Sequence, residues 1–219
     1  MTDGDQVPTI LLATGNAAKQ SKLRWLIEGL DFESLTPRDL GLDVDPPENG
    51  STHQEIAASK ALAWADAAGC LAIASDGGAH IPALGASWNS LFTRRAAGDV
   101  PDDRARADHL LELMRDRRDA DRDVVWREAV AVAEPGTLLE SWEAQGALGR
   151  LVERYDPAKV EGGFWFPALL LVPRFGKLVA DLTPEESEQT DNGWNALRGV
   201  VRPFLVTLLT PSSGGQGIR

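Results

Sequence analysis

The first part of the chain alternates a short apolar run with helical hydrophobic spacing. Residues 9–13 (TILLA) form a run that is typical of a buried strand. After the turn Thr14-Gly15-Asn16, apolar residues return at the i, i+3, i+4, i+7 spacing of one helix face: Leu23, Leu26, Ile27 and Leu30. The pattern therefore predicts a buried strand that leads directly into a helix.

A second helix and a second buried strand follow. Thr52 and Glu55 fit a capping box, which predicts a helix that begins there and ends near Gly69. This helix carries Ile56, Lys60, Ala61 and Trp64. Residues 71–74 are again apolar, and they predict a strand that closes on the loop Ser75-Asp76-Gly77-Gly78.

The second half of the chain predicts two long paired strands between helices. A helix with Pro101 near its start carries Leu110 and Met114 on one face. Two strands are predicted over 124–133 and 141–152, the second with a break at Gly146, and a short strand over 178–181. Two further helices begin at Thr183 and near Asp191. Strands that alternate with helices indicate an α/β fold, and the long paired strands would form a second lobe.

Composition narrows the class of protein. A chain of 219 residues with 43% hydrophobic and 25% charged residues has the length and apolar content for a real core. No apolar run approaches the roughly 18 residues that span a bilayer, and the first residues lack the pattern of a secretory signal. Cys70 is the single cysteine, so no internal disulfide can form. We expect a cytoplasmic protein with a flexible tail over residues 211–219.

The chain is also strongly acidic, with a formal net charge of −11. This charge argues against broad binding to nucleic acid or to anionic membranes, because the chain would repel their phosphates. It permits one phosphate-bearing small molecule that is held by a few well-placed cations.

One polar segment resembles a phosphate cradle. In the segment Thr14-Gly15-Asn16-Ala17-Ala18-Lys19, a small turn at a helix start exposes backbone N–H groups, and the helix dipole favours an anion there. Thr14 and Asn16 add hydrogen-bonding side chains, and Lys19 adds a positive charge. The alternative is a capped helix start with a surface lysine.

A second polar segment carries acidic side chains. Asp76 follows a predicted buried strand, where a carboxylate can hold Mg²⁺ or position a water, while Glu48 could supply a second oxygen ligand. The alternatives are a turn former and an ordinary solvated carboxylate. Lys60 lies on an apolar helix face and either reaches water or meets an anion. The histidines His53, His80 and His109 lack the spacing of a metal site.

Taken in order, these segments resemble the inosine triphosphate pyrophosphatase family over about residues 9–204. Residues 14–19 match the family's TGNxxK phosphate loop, and residues 48–52 with Glu55, Lys60 and Ala61 match its acidic loop and next helix. Residues 71–78 match the strand that ends in the catalytic aspartate, and 83–86 match the turn after it. Residues 93–98 match a segment that places Arg95 near the phosphates, and 176–186 match the GKTxAELSPEE stretch.

The resemblance implies an α/β, Maf/HAM-type fold, with an elongated central mixed sheet flanked by helices and two lobes around a cleft in one domain over residues 1–210. It implies cleavage of a nucleoside triphosphate to the monophosphate and pyrophosphate with Mg²⁺ or Mn²⁺, by a homodimer. Asp76 and Lys19 would be catalytic, and Glu48 and Asp76 would bind the metal. The substrate-binding residues would be Thr14, Gly15, Asn16, Lys19, Lys60, Gly77, Arg95, Trp165, Phe166 and Asn192.

Departures from the family pattern concentrate at the end that binds the base. The family's GFGYDP is replaced by residues 162–167 (GGFWFP), and its purine-reading Ser-His-Arg is replaced by Asp191-Asn192-Gly193. Four further replacements are Lys22 for glutamate, Ser75 for aspartate, Gly77 for serine and Ser187 for lysine. Because such a pocket discriminates through hydrogen bonds, its loss implies a changed base preference. Phe164, Trp165 and Phe166 then form either a stacking wall or simple core packing.

Functions of different classes therefore remain open. The leading hypothesis is a Mg²⁺-dependent nucleoside triphosphate pyrophosphohydrolase with altered base specificity. The alternative is a catalytically weakened homologue that binds a nucleotide or a protein partner, which the changes at Lys22, Ser75 and Ser187 favour. Hydrolysis of another phosphorylated metabolite is a third option that the sequence neither supports nor excludes.

Overall fold

The computed structural model describes residues 7–93, 102–160, 165–190 and 192–210, without the side chains of residues 147 and 192. The strands in these ranges are β1 (Thr9–Leu12), β2 (Glu33–Leu35), β3 (Leu71–His80), β4 (Asp123–Glu134), β5 (Thr137–Leu151), β6 (Leu170–Val172) and β7 (Lys177–Leu178). They form one seven-stranded sheet in the order β2-β1-β3-β4-β5-β6-β7. β1 is parallel to β2 and β3, and all the other neighbouring strands are antiparallel, so the sheet is mixed.

The α-helices of the described ranges are α1 (Ala17–Ile27), α2 (His53–Ala68), α3 (Asp103–Leu113), α4 (Pro184–Thr190) and α5 (Asn192–Leu209). α2 is capped at both ends, because Thr52 Oγ1 accepts a hydrogen bond from the Glu55 backbone N–H at 3.0 Å and Gly69 closes the helix at φ 67°. Hydrogen bonds from the Ser51 hydroxyl, the Ser51 N–H and the Thr52 N–H lower the pKa of Glu55, so its carboxylate turns back to the helix start as the predicted capping box requires. No helix in the described ranges combines the length and the apolar character needed to cross a membrane.

Alternation along the central strands divides the core between two faces of the sheet. Ile10, Leu12 and Ile73 pack with α1 and α5 on one face. The other face packs against α2, and both surfaces consist largely of alanines. The sheet contributes Leu11 and the alanines at 72, 74, 129, 131 and 133, and α2 contributes the alanines at 57, 61 and 65. Small side chains on both surfaces allow α2 to lie close to β3, so polar groups on α2 can reach that strand. A third cluster lies beyond His80 and includes Trp88, Leu110, Leu151, Trp165 and Phe166.

Most predicted elements are present, and the main error concerns β3. The sequence placed Ser75-Asp76-Gly77-Gly78 in a loop, but β3 continues through these residues to His80 and pairs antiparallel with β4. Ser, Asp and Gly are frequent in turns, but here the pairing with β4 overrides that preference. The strand therefore extends past the last β1 pair, Leu12 with Ile73.

Smaller differences lie in the second half. β5 begins at Thr137 and continues through the predicted break at Gly146. At that point the strand forms a β-bulge, in which residues 146 and 147 of β5 lie opposite the single residue Trp126 of β4. The predicted strand over 178–181 is reduced to Lys177–Leu178, and Val179–Asp181 is a 3₁₀ turn. The three-residue strands β2 and β6 escaped prediction, because such short segments carry little periodicity.

Candidate active site

β3 carries Asp76 to the face of the sheet that α2 covers. Strand alternation puts Asp76 on the same side as Ala72 and Ala74, both of which pack against α2. Asp76 pairs with Ala129 of β4 and lies past the end of β1, where the chain turns into α1. The residue is only 6% exposed, so its carboxylate needs partners.

Two residues of α2 supply those partners. His53 Nδ1 lies 2.7 Å from Asp76 Oδ2, and Lys60 Nζ donates to Asp76 Oδ1 at 2.8 Å. His53 and Lys60 are seven residues apart, which is about two helical turns, so both lie on the face turned to β3. Each oxygen of the Asp76 carboxylate is therefore hydrogen bonded to α2.

Lys60 also joins Asp76 to Glu48. Its ammonium lies 2.7 Å from Glu48 Oε1, and the Lys60 side chain is 16% exposed. Glu48 lies between β2 and α2, directly after Pro46 and Pro47, which restrict the backbone of that segment. Two carboxylates from separate segments thus converge on one positive charge.

The pKa of Asp76 lies below its ordinary value. Burial alone would raise it, but the hydrogen bond from His53 and the positive charges of Lys19 and Lys60 outweigh the burial. Asp76 is therefore an ionised carboxylate at neutral pH, and Nδ1 of His53 carries the hydrogen that the two share.

This donor set fits a divalent cation that also draws ligands from its substrate. Glu48 and Asp76 present oxygens to a point that the Lys60 ammonium occupies, and Mg²⁺ is commonly bound by one or two carboxylates together with phosphate oxygens and waters. Among the described residues, no group of three or more His, Cys, Asp or Glu side chains is arranged to hold a metal. The protein would thus supply two ligands and leave the others to substrate and water.

The loop before α1 is organised by its own hydrogen bonds. Asn16 Oδ1 caps the helix by accepting from the N–H groups of Ala18 and Lys19 at 2.9 and 3.2 Å, and Thr14 Oγ1 accepts from the Asn16 N–H. Gly15 and Asn16 are exposed. These bonds agree with the capping alternative for Thr14 and Asn16, whereas substrate binding by this loop stays a prediction.

Lys19 leaves this loop toward β3. Its Nζ lies 3.5 Å from the Ser75 carbonyl oxygen. Removal of the ammonium from water lowers the pKa of Lys19, and the nearby carboxylates of Asp76 and Glu128 oppose that shift. The cation is therefore adjacent to the Asp76 site.

Glu128 is a second buried carboxylate beside the site. It is 9% exposed, lies on the opposite face of the sheet from Asp76, and accepts a hydrogen bond from Trp126 Nε1. A Cβ on Gly77 would lie 2.2 Å from Glu128 Oε2 and 2.7 Å from the Arg127 carbonyl oxygen. A side chain at position 77 would therefore meet Glu128 and the β4 backbone, and substrate binding at Gly77 stays a prediction.

The end predicted to bind the base is filled by packing. Trp165 and Phe166 are each 5% exposed, and Phe166 makes an edge contact with Trp126 at 5.2 Å between ring centroids. Their burial agrees with the packing alternative, and a stacking role for these rings stays a prediction. At the start of α5, a Cβ on Gly193 would lie 2.7 Å from Gly146 Cα, so the helix rests directly on the β5 bulge.

The predicted residues therefore divide into four groups, of which the first, described above, consists of Thr14, Gly15 and Asn16 before α1 and Gly77 on β3. Glu48, Lys60 and Asp76 are in direct contact, and Lys19 lies beside them. Trp165 and Phe166 lie in the third core cluster. Arg95 and Phe164 lie outside the described residues, as does the side chain of Asn192.

Sequence reasoning missed His53 and Glu128. His53 was considered only as a metal ligand, although its seven-residue spacing from Lys60 on a predicted helix places both on one face. Glu128 lies within a predicted strand, and nothing in the local sequence marks it as close to the site. Its position beside Gly77 follows from the register between β3 and β4.

Comparisons with known proteins agree with this architecture. A sequence profile of the Ham1 family matches residues 10–202. A dITP/XTP pyrophosphatase from Thermus thermophilus is 31% identical over 195 residues, covering 89% of this chain and 91% of the relative. A dITP/XTP pyrophosphatase from Deinococcus deserti is 32% identical over 188 residues, covering 86% and 85%.

Solved structures give the same result. A HAM1 protein from Coxiella burnetii superposes with a TM-score of 0.73 at 26% identity, covering 94% of this chain and 100% of that one. The Ham1 protein of Staphylococcus aureus superposes with a TM-score of 0.72 at 25% identity, covering 90% and 99%. The mixed sheet flanked by helices is thus shared with these proteins.

Proposed function

The chain belongs to the Ham1 family, and from this membership and the site geometry we propose that it is a metal-dependent nucleoside triphosphate pyrophosphohydrolase with an altered base preference. Relatives about 30% identical over most of the chain are named dITP/XTP pyrophosphatases, which are hydrolases of phosphoric anhydrides. The proposed products are a nucleoside monophosphate and pyrophosphate.

The observation that carries the proposal is the contact of Lys60 with both Asp76 and Glu48. Three charged side chains from α2, β3 and a loop meet at one point, where a structural ion pair would need only two. A triphosphate brought to this point would meet the ammonium groups of Lys60 and Lys19, which offset charge that develops on the phosphoryl oxygens. The two carboxylates supply oxygen ligands for the metal.

We propose that water attacks the α-phosphorus and that pyrophosphate leaves. Because the pKa of Asp76 is lowered, its carboxylate holds a proton weakly and acts mainly by orienting the attacking water. A Mg²⁺ or Mn²⁺ ion bound by Glu48 and Asp76 would polarise the phosphoryl oxygens. The dipole of α1 would favour an anion near Gly15.

The altered base preference rests on Gly193. This residue takes the position of an arginine in the resembling family, yet a Cβ there would lie 2.7 Å from Gly146 Cα and 3.0 Å from Gly146 N. Real Cβ atoms do not approach backbone so closely, so no side chain fits without movement of α5 or β5. This close contact supports the proposal that the purine-reading arginine of the resembling family has no equivalent at position 193. We propose that the base is bound with few directional hydrogen bonds and that several bases are accepted.

A second candidate function is nucleotide binding without turnover. It is favoured by Lys22, which stands where the resembling family has a glutamate and whose ammonium lies 5.9 Å from the centroid of the Trp194 ring. This chain therefore carries a cation where the resembling family carries an acidic group.

The test is pyrophosphate release from a panel of natural and deaminated nucleoside triphosphates with Mg²⁺ or Mn²⁺. We expect the wild-type protein to turn over several bases, and Asp76→Asn to lower kcat by about 100-fold or more. Failure to release pyrophosphate from any triphosphate with either metal would overturn the enzymatic proposal. Saturable nucleotide binding by calorimetry in that case would support the second candidate.

A further inference from the structure

We propose that His53 is a positioning residue for this reaction: its Nδ1–H fixes Asp76 Oδ2, so that the carboxylate turns Oδ1 toward Lys60 and Glu48. This inference rests on the proposed pyrophosphohydrolase activity. The contact that carries it is the 2.7 Å hydrogen bond between the buried His53 ring and the buried Asp76 carboxylate.

The backbone of His53 is held in place. His53 is the first residue of α2, directly after Thr52, whose side chain caps the helix. Its side chain is 2% exposed, so the ring cannot turn to solvent. Because Lys60 binds the other carboxylate oxygen from the same helix, the two contacts together fix the plane of the Asp76 carboxylate relative to α2.

β3 provides the space that the ring occupies. A Cβ on Gly78 would lie 3.0 Å from His53 Cε1, 2.0 Å from the Ser90 carbonyl oxygen and 2.6 Å from Thr93 Oγ1. The ring thus lies over a glycine that is two residues along the strand from Asp76, on the same face. A larger residue at position 78 would displace the imidazole from its partner.

The other ring nitrogen makes the imidazole costly as a purely structural residue. His53 Nε2 is buried and finds no hydrogen-bond partner among the described residues. A buried polar atom without a partner destabilises the folded state, and an apolar side chain of similar size would avoid that cost. The contact with Asp76 is therefore the feature that an apolar residue at position 53 could not reproduce.

A matched pair of substitutions tests the role. In His53→Asn the amide nitrogen takes the place of Nδ1 and can still donate to Asp76 Oδ2, whereas in His53→Gln the same amide lies farther along, nearer the place of Nε2. We expect His53→Gln to lower kcat by about 10- to 100-fold, the loss typical of a partner that orients a ligating group, with KM for the triphosphate little changed. We expect His53→Asn to stay within about threefold of the wild type.

Two measurements separate the possible failures. Thermal unfolding should give similar Tm values for the two variants. The positioning role would be overturned if His53→Gln kept the wild-type kcat. It would also be overturned if both variants lost the same share of kcat. An inactive wild-type protein would instead overturn the proposed function.

The hydrogen bond itself can be observed without activity. In NMR spectra with ¹⁵N-labelled histidine, we expect a slowly exchanging Nδ1–H of His53 that is lost or strongly shifted in Asp76→Ala. If this signal is absent from the wild-type protein, the contact does not exist in solution and the inference fails.

Discussion

The two ends of the candidate site are built in opposite ways. At the Asp76 end, charged side chains from separate elements meet across short distances, and each carboxylate oxygen of Asp76 has a donor. At the Gly193 end, the contacts among the described residues are apolar rings and bare backbone, with Trp165 and Phe166 buried and α5 resting on Gly146. Directional chemistry is thus concentrated where phosphates are expected to bind.

We interpret this difference as the basis of the proposed change in base preference with the reaction retained. Groups that bind phosphate and metal must hold charges at fixed positions, so their loss removes turnover. A base pocket sets only which nucleotide is preferred, and it can be filled with aromatic packing while the charged end stays intact. Four predictions test whether the two ends are independent, beginning with the largest expected effect.

Phe166→Ala should destabilise the protein by about 3–5 kcal/mol, because it removes a buried ring from the third core cluster. Phe175→Ala is the control and should cost less, since Phe175 is only partly buried. Chemical denaturation measures both. If Phe166→Ala keeps wild-type stability and instead raises KM for the triphosphate, the ring belongs to a binding surface and the packing interpretation is wrong.

Lys60→Met should lower kcat/KM by about 100-fold, because it leaves Glu48 and Asp76 without their shared cation and removes a donor to phosphate. Lys159→Met is the matched control: Lys159 pairs with Asp181 at a partly exposed site and should change activity little. Steady-state pyrophosphate release compares them. Equal losses in the two variants would mean that the charge at position 60 has no special role.

Gly193→Ala should destabilise the protein by about 1–3 kcal/mol, because the added methyl group collides with the Gly146 backbone. Gly199→Ala lies in the same helix with nothing within 4 Å of the added Cβ, so it should be neutral or stabilising by up to about 1 kcal/mol. Thermal unfolding of the two variants decides the question. A neutral Gly193→Ala would show that α5 can move away and that the base end is open to redesign.

Acid should reduce the stability that Asp76 provides. Because its folded pKa lies below the ordinary value of 3.8, this contribution is fully present above that value and is lost as the pH falls through the folded pKa. In metal-free buffer, the difference in unfolding free energy between wild type and Asp76→Asn should therefore narrow on acidification. Denaturation at a series of pH values measures the difference, and a constant difference would contradict the ionised, paired state.

The sequence alone predicted the segments that carry the charged end, but not their contacts. Thr52, Glu55 and Gly69 marked the limits of α2, and the resemblance singled out Glu48, Lys60 and Asp76. The local sequence pattern predicted a loop at Asp76, because Ser-Asp-Gly-Gly favours turns when only neighbouring residues are considered. The pairing of β3 with β4 joins residues 45 to 61 positions apart, and no local pattern contains it.

By itself, then, the sequence determined which segments are helices and long strands, since hydrophobic spacing and caps act over a few residues. It also determined that this acidic chain concentrates a few cations and carboxylates in short segments. Only the tertiary structure decided that His53 holds Asp76, that Glu128 fills the space beside Gly77, and that a side chain at position 193 would collide with the backbone of Gly146. These three outcomes depend on close approach between elements that are distant in the chain, and only packing sets that approach.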